Sequence, residues 1–411
     1  MMSKKSPQLR FEGFTDDWEE RKLSSISERV TRKNKNNEST LPLTISAQDG
    51  LIDQNDFFNK QVASRDVTGY FLVKNGEFAY NKSYSNGYPW GAIKRLDKYD
   101  MGVLSTLYIV FRPTEINSQF LVSYYDTTRW YREVSKNAAE GARNHGLLNI
   151  APTDFFNTLL VVPKIVDEQE KIGSFFKQMD NTIALHQRKL DLLKEQKKGY
   201  LQKMFPKNGA KVPELRFAGF ADDWEQRKLG EISEKVTLKN KDNTFDETLT
   251  NSAEFGIISQ NDFFDKEISN RSNLNGYYVV ENNNFVYNPR ISNFAPVGPI
   301  KRNKLGRTGV MSPLYYVFKT RNIDNDFLEK YFDTTYWHIF MKLNGDSGAR
   351  ADRFAIKDSV FKEMPIPFPK IEEQIKIGNF FKQLDDTIAL HQRKLEKLKN
   401  LKKALLNELF V

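Results

Sequence analysis

The sequence predicts two domains of mixed α/β (α+β) class in tandem, each followed by a long helix, with the two helices paired as an antiparallel coiled coil. Residues 7–23 recur as 213–229, identical at 13 of 17 positions, and residues 172–190 recur as 377–395, identical at 16 of 19. The second repeat also carries heptad spacing. A repeat period near 206 residues is too long for a solenoid unit, so the pattern indicates a pseudo-two-fold duplication of whole domains.

Shorter repeats at the same offset set the domain boundaries. The sequence QNDFF occurs at 54–58 and 260–264, YYDTTRW at 124–130 matches YFDTTYW at 331–337, and GAR occurs at 141–143 and 348–350. We therefore place a first globular domain at 1–166, a first long helix at 167–206, a linker at 207–213, a second globular domain at 214–370 and a second long helix at 371–411.

Each globular domain mixes short β-rich runs with turn signals. In the first domain, residues 70–73, 107–111 and 159–162 are rich in branched and aromatic side chains, which favours strands. Glycine dipeptides at 49–50, 75–76 and 86–87 indicate turns. Residues 115–131 have helical periodicity. The pattern predicts an α+β domain.

The long helices have apolar positions that alternate in steps of four and three, an average of 3.5 residues that is typical of a coiled-coil seam. No proline interrupts either run, and Pro163 and Pro369 mark their starts. Each helix should be about 50–60 Å long. An antiparallel pair would place the two domains at opposite ends. The predicted seam residues are Ile172, Phe176, Met179, Ile183, His186, Leu190, Leu193, Ile377, Phe381, Leu384, Ile388, His391, Leu395 and Leu398.

Two seam positions are histidines, His186 and His391. One interpretation is a metal or proton site. The interpretation we favour is a polar seam residue that fixes the register of the two helices at some cost in stability, because the chain has four histidines in all and no cysteine.

Composition narrows the classes of function. The net charge is +9, which favours negatively charged partners, nucleic acid first among them. The absence of cysteine excludes disulfides, thiolate zinc sites and cysteine nucleophiles. No apolar run approaches the roughly 18–20 residues that span a bilayer, and the first residues lack the apolar core of a signal peptide. We expect a cytoplasmic protein.

Motifs of catalysis are absent from the sequence. There is no glycine-rich cofactor loop, no phosphate-binding Walker loop and no zinc-protease HExxH. No nucleophile lies beside a base in a recognisable pattern. The sequence therefore does not predict an enzyme, and no cofactor or metal is expected in this chain.

A domain of about 160 residues, then a helix with FFKQ-D-TIALHQRKL, all occurring twice, closely resembles the specificity subunit of type I restriction–modification systems. The resemblance extends over essentially the full chain. It implies two target-recognition domains, each reading one half of an asymmetric bipartite site on double-stranded DNA, with the helices acting as a spacer.

The same resemblance implies the partners. Two methyltransferase subunits dock on the helices and domains, and two restriction subunits join that core. S-adenosylmethionine, ATP and Mg²⁺ are then expected on those subunits, and no membrane is involved.

Loops that differ between the two copies are the candidates for reading DNA. Residues 82–88 correspond to 289–295, and both segments are rich in polar, basic or aromatic side chains, the types that contact base edges and phosphates. The basic pairs 94–95 and 301–302 follow the loops, and Arg143 and Arg350 follow matched Gly-Ala turns. Neutral drift of surface loops is the alternative. The candidate DNA contacts are Lys82, Ser83, Tyr84, Asn86, Lys94, Arg95, Arg143, Asn144, Arg290, Ser292, Asn293, Lys301, Arg302, Arg350 and Arg353.

Two rival functions remain. An enzyme would transfer methyl groups or cleave DNA as the purified chain alone. A coiled-coil scaffold without DNA specificity would show no salt-dependent affinity for a duplex, even with its partners present.

Overall fold

The computed structural model describes residues 6–46, 49–83, 87–138, 143–144, 147–207, 209–264, 274–346 and 352–411. The chain divides into two compact units. The first contains the residues up to Gln187 together with Arg393–Val411, and the second contains Arg188–Gln392. Each long helix is thus shared, because one half of each folds with each globular domain.

The first domain is built from short elements that precede the first long helix, α6. They are β1 (Glu19–Lys22), α1 (Leu23–Ile26), β2 (Ser27–Val30), β3 (Leu43–Ser46), β4 (Gly50–Asp53), α2 (Gln54–Phe58), β5 (Phe71–Lys74), β6 (Phe78–Asn81), β7 (Ala92–Arg95), β8 (Met101–Leu104), β9 (Ile109–Pro113), α3 (Ser118–Tyr125), α4 (Tyr131–Asn137), β10 (Arg143–Asn144), β11 (Leu147–Leu148), α5 (Pro152–Phe156), β12 (Leu159–Val162) and α6 (Val166–Lys203).

All described strand pairs in this domain's sheets are antiparallel. The largest sheet has the order β2-β9-β6-β7, and two-stranded sheets pair β1 with β12, β3 with β4, β5 with β8 and β10 with β11. Its aromatic face, with Phe78 and Phe111 stacked at 5.2 Å, packs against α3 and the start of α6 in one core. The predicted α+β class is confirmed.

The helical prediction for residues 115–131 is only partly right. The structure has two helices there, α3 and α4, separated by a turn at Asp126–Trp130. Thr127 Oγ1 donates to the Tyr124 carbonyl at 2.6 Å and accepts from the Arg129 amide at 3.1 Å. A threonine that bonds to nearby backbone competes with continued helix, and this stops α3.

The repeated segment at 7–23 fastens the start of the domain to α6. Arg10 donates two hydrogen bonds to the Glu168 carboxylate, at 2.7 and 2.8 Å, and Trp18 Nε1 donates to it at 3.3 Å. Glu168 is fully buried, so its charge needs this two-pronged arginine partner. In the second copy, Arg216 and Glu373 make the same pair at 2.7 and 2.8 Å. The shared motif is therefore a clasp between domain and helix.

The second domain repeats this order. Its elements are β13 (Glu225–Lys228), α7 (Leu229–Ile232), β14 (Ser233–Lys235), β15 (Leu249–Ser252), β16 (Gly256–Ser259), α8 (Gln260–Phe264), β17 (Tyr278–Val280), β18 (Phe285–Tyr287), β19 (Ile300–Arg302), β20 (Gly309–Met311), β21 (Tyr316–Thr320), α9 (Asn325–Phe332), α10 (Trp337–Asn344), α11 (Asp358–Phe361), β22 (Pro365–Phe368) and the second long helix α12 (Ile371–Leu409). The sheet β14-β21-β18-β19 has the same order as its counterpart in the first domain.

In each unit the two long helices pair in opposite directions. In the first, Phe176 near the start of α6 lies 6.0 Å from Phe410, just beyond the end of α12, and Asp180 lies 2.6 Å from Lys402. In the second, Lys197 near the end of α6 lies 2.7 Å from Asp385 of α12. Since residue numbers rise along one helix as they fall along the other, the pairing is antiparallel.

The predicted seam positions share one property, which is that none of their side chains is exposed. Those that are buried are Ile172, Phe176, Leu190, Leu193, Ile377, Phe381 and Leu395, and those that are partly buried are Met179, Ile183, His186, Leu384, Ile388, His391 and Leu398. Such a stripe along both helices is the burial pattern that a heptad repeat specifies.

Candidate nucleic-acid interface

A short loop after β18, which we call the second reading loop (residues 288–295), is fixed in place by hydrogen bonds to its backbone and to its first side chain. The Asn288 side chain accepts a hydrogen bond from the Arg290 amide at 3.0 Å and donates one to the Asn251 carbonyl at 2.9 Å. Ser292 and Ala295 exchange two backbone hydrogen bonds of 3.1 Å. With its backbone bonded in this way, the loop leaves the side chains of Arg290, Ser292 and Asn293 exposed.

The segment at 352–354 forms the second wall of this loop. The Phe354 amide donates to the Pro289 carbonyl at 2.7 Å, and the Ile291 amide donates to the Asp352 carbonyl at 3.0 Å. Arg353 is partly buried and lines a cavity of about 810 Å³. The structure therefore brings two of the predicted arginines, Arg290 and Arg353, onto paired segments, although 63 positions separate them in the sequence.

The described start of the first reading loop (residues 81–88), which is residues 81–83, makes the same hydrogen bonds as its counterpart. The Ser83 amide donates to Asn81 Oδ1 at 3.0 Å, and the Leu148 amide donates to the Lys82 carbonyl at 3.0 Å. Ser83 thus occupies the place of Arg290, and Lys82 that of Pro289. Burial lowers the pKa of Lys82. The predicted residues Tyr84, Asn86 and Arg350 lie outside the described residues, as do the side chains of Arg143 and Asn144 on β10.

One glycine in each domain closes the reading loop against the preceding strand. Gly91 and Gly298 have φ of +82° and +81°, and a Cβ on either would lie 2.1 Å from the carbonyl oxygen of Asn81 or Asn288. Any side chain there would collide with backbone, so both loops require glycine at this point. The two copies therefore share this close contact between glycine and strand.

The paired basic residues after the loops are ion-paired inside their own domains in this structure. Lys94 Nζ lies 2.8 Å from Asp126 and Lys301 Nζ lies 3.0 Å from Asp333. These ion pairs join β7 to the turn after α3, and β19 to the turn after α9. The lysines are mostly buried, so releasing either one to a phosphate would leave a buried aspartate with one of its two lysine partners.

Arg95 and Arg302, the arginines next to these lysines, are also bound by partners inside their own domains. Arg95 donates to Asp97 at 2.6 Å, Ser118 at 2.8 Å and Gln119 at 2.7 Å. Arg302 is buried, with 8% of its surface exposed, and pairs with Asp326 and Glu329. All four cations thus have partners inside their own domain, and their assignment as DNA contacts stays a prediction.

The aspartate of the repeated DTT motif is a site residue that sequence reasoning missed. Burial by itself would raise the pKa of Asp333, but Lys330 and Lys301 outweigh it and hold the pKa well below its usual range. Lys330 also donates to Asp385 of α12 at 2.7 Å. A signal was available, since both DTT motifs recur at one fixed spacing from the paired basic residues.

The described ranges contain neither a candidate metal site nor a candidate membrane-spanning helix. No cluster of three or more histidines or carboxylates there could hold a metal ion. Among the helices that the structure describes, none is both long and apolar enough to cross a membrane.

Comparison with known proteins finds similarity over part of the chain to one family model and over most of it to several proteins. Residues 221–400 match the model of the type I restriction modification DNA specificity domain. The MjaX type I restriction enzyme specificity subunit of Methanocaldococcus jannaschii is 22% identical over 424 residues, covering 95% of this chain and 92% of that protein.

Two solved structures share the fold. One is the S subunit of a type I restriction–modification system from M. genitalium, with 13% identity, 99% coverage of both chains and a TM-score of 0.58. The other is a chain from a study of assembly and conformational transition in the type I R-M system, with 17% identity, coverage of 96% of this chain and 97% of that chain, and a TM-score of 0.51.

Proposed function

We propose that this chain is a type I restriction–modification specificity subunit, as its similarity to such proteins supports, and that each globular domain reads one half of an asymmetric bipartite site on double-stranded DNA. The chain is the non-catalytic, recognising member of such a system. Its family match lies in residues 221–400, and the internal repeat extends the same domain type to the first half of the chain.

The observation that carries the proposal is that the two reading loops start on the same hydrogen-bonded backbone, at 81–83 and 288–290, and differ there in side chains. In both loops an asparagine accepts from the amide two residues on, at 3.0 Å. On this shared backbone, the first loop presents Ser83 where the second presents Arg290. Sequence is read by side chains at base edges, so equal scaffolds with unequal side chains support two different half-sites.

The long helices supply the spacing in this proposal. With 38 and 39 residues, they extend about 57 Å at 1.5 Å per residue. Asp126, which follows α3, pairs with Lys402 of α12, and Lys330 of α9 pairs with Asp385 of α12. These ion pairs would couple each domain rigidly to the spacer. Helix length and domain angle would then set the gap between half-sites.

Exposed leucines on the helices support docking of partner proteins. Leu185 and Leu192, seven residues apart on α6, are 62% and 52% exposed, and Leu390 on α12 is 45% exposed. Large apolar side chains on one helical stripe are typical of protein contacts. We propose that two methyltransferase subunits dock here and that two restriction subunits join them, with S-adenosylmethionine, ATP and Mg²⁺ bound by those partners.

One experiment tests the proposal against a scaffold without DNA specificity. The chain is co-expressed with its methyltransferase partner, and modified adenines are mapped across the genome. We expect one bipartite motif with unlike halves and a fixed gap. Methylation without a defined motif, together with no salt-dependent affinity of the purified complex for duplex DNA, would instead identify a protein-binding scaffold.

A further inference from the structure

A cavity of about 430 Å³ lies beside the second reading loop. We call it the reading-loop cavity. The end of β15, the start of α8 and the loop itself line it, and the residues that matter here are Asn251, Gln260, Arg290 and Ser292. The cavity lies entirely within the second domain, next to the exposed arginine that we propose contacts DNA.

Asn251 at this cavity is buried, with 3% of its surface exposed. Its Nδ2 donates to the carbonyl of Val286 at 2.7 Å and lies 3.3 Å from that of Pro299. Since carbonyls can only accept, the amide cannot be turned around, and the orientation of its oxygen follows from the hydrogen-bond network. Oδ1 is left without a hydrogen-bond partner among the described residues.

Gln260 provides a second acceptor of the same kind. Its backbone amide donates to the Thr248 carbonyl at 2.8 Å, which fixes the start of α8. Its Oε1 is buried and has no partner within the described part of the chain. Buried polar atoms in proteins are nearly always paired, so two unpaired acceptors lining one open cavity indicate a donor that arrives from outside.

The first domain has a different side chain at the position of Asn251. Thr44 and Tyr108 make a 3.3 Å contact there that matches the contact of Thr250 and Tyr315 at 3.3 Å, which aligns β3 with β15 residue by residue. The position of Asn251 is then taken by Ile45, which is buried and cannot accept a hydrogen bond. The acceptor at this depth is thus a property of the second domain.

Resting on the proposed function, we infer that Asn251, together with Gln260, accepts a hydrogen bond from the exocyclic amino group of an adenine or cytosine in the second half-site. In the major groove, those amino groups are the donors that a base presents. Both donors of the Asn251 amide already face backbone carbonyls, so it cannot form the two-bond pairing with adenine N6 and N7. It reads the amino group alone, directly or through one bound water.

The test replaces Asn251 by the residue that the first domain uses. Asn251→Ile is expressed with the methyltransferase partner, and its methylation motif is compared with that of the wild-type complex. We expect one position of the second half-site, an adenine or cytosine in the wild type, to become degenerate. Discrimination there should fall by about 2- to 13-fold, the net value of one neutral hydrogen bond, while the first half-site stays unchanged.

A second pair of variants covers the case in which Asn251→Ile does not fold. Gln260→Met removes the second acceptor at a partly exposed position and should relax the same base. Its match, Gln54→Met in the first domain, should leave the second half-site intact. A second half-site unchanged in Gln260→Met and in any folded Asn251→Ile complex overturns this inference alone. A wild-type complex without a bipartite motif overturns the proposed function, and this inference with it.

Discussion

Lys402 near the end of α12 donates a 2.8 Å hydrogen bond to Asp126, which follows α3 and lies 276 positions away in the chain. Lys94 of β7 binds the other oxygen of the same carboxylate at 2.8 Å. Burial would raise the pKa of Asp126, but Lys94 and Lys402 outweigh it, and the pKa is lowered. This one carboxylate therefore joins a sheet, a turn and a long helix.

Asp126→Asn should destabilise the first unit by about 3 kcal/mol, because it leaves the mostly buried Lys94 without its counter-charge and leaves Lys402 with Asp180 alone. Urea unfolding at pH 7 measures the loss. The control is Asp97→Asn, since Asp97 pairs with Arg95 but is 57% exposed, and it should cost under about 1 kcal/mol. Equal losses in the two variants would show that Asp126 does not couple domain and helix.

The ion pairs of Asp126 with Lys94 and Lys402 also predict how the free energy of unfolding changes as the pH falls. A carboxylate whose folded pKa is lowered stabilises the fold above its unfolded pKa of about 4, and the stabilisation is lost as the pH falls below it. Asp126→Asn should therefore differ most from the wild type at neutral pH and should converge with it below about pH 3. A difference that grows on acidification would contradict the ion-pair mechanism.

His338 in the second domain should make stability depend on pH in a milder range. Burial, assisted by Lys342, lowers its pKa to about 4. Because the unfolded side chain titrates near 6.5, this stabilisation is present above about pH 6.5 and is lost as the pH falls toward 4. Between pH 7 and pH 5 the expected loss is about 2 kcal/mol.

The matched variant for His338 is His338→Tyr, because Tyr131 holds that place in the first domain. Tyr131 lies edge-on to Trp130 at 4.6 Å, and His338 lies edge-on to Trp337 at 4.4 Å. The tyrosine should keep the ring contact and remove the titration. Denaturant unfolding at pH 7 and pH 5 checks this, and an unchanged pH response in the variant would assign the effect to another group.

Arg290→Ala should relax or weaken reading of the second half-site only. A guanidinium that contacts a base is worth about 1–3 kcal/mol of discrimination, whereas one that contacts phosphate weakens binding to all sequences. Methylation mapping distinguishes the two. Lys319→Ala, on β21 and paired with Glu234, is the control and should change neither half. Equal loss at both half-sites would refute the assignment of Arg290.

Adding one heptad to each long helix should lengthen the gap between half-sites without changing their bases. Seven residues add about 10 Å of helix, or about three base pairs at 3.4 Å each. Inserting three residues instead breaks the seam and should abolish recognition. A gap that stays constant in the heptad variant would rule out the helices as the spacer.

The elements that the sequence predicted best were those with a local, periodic signature. Both long helices begin within three residues of the expected points, and their heptad positions avoid exposure. The strand at 159–162 agrees with β12. Such patterns are legible because each residue's burial follows from its spacing to near neighbours along the chain.

The candidate interface was predicted less well, because charge alone does not reveal the partner of a side chain. Lys94 and Arg302 look like surface cations in the sequence, and in the structure each is bound by a carboxylate more than twenty positions away. Arg290 is exposed in the structure, and its ion pair with Asp352 of the facing segment has a long separation of 3.9 Å. Which basic side chains remain available is thus decided by the packing.

The amino-acid sequence by itself determined the duplication, the two heptad-patterned helices and the class of the domains, since repetition and periodicity are written along the chain. The tertiary structure decided which lysines and arginines are ion-paired and which side chains of the second reading loop are exposed. It also decided that the oxygen of Asn251 has no partner among the described residues, at a position where the first domain has Ile45. These facts depend on hydrogen bonds between segments distant in the chain, whose partners are set by the fold and by no local pattern.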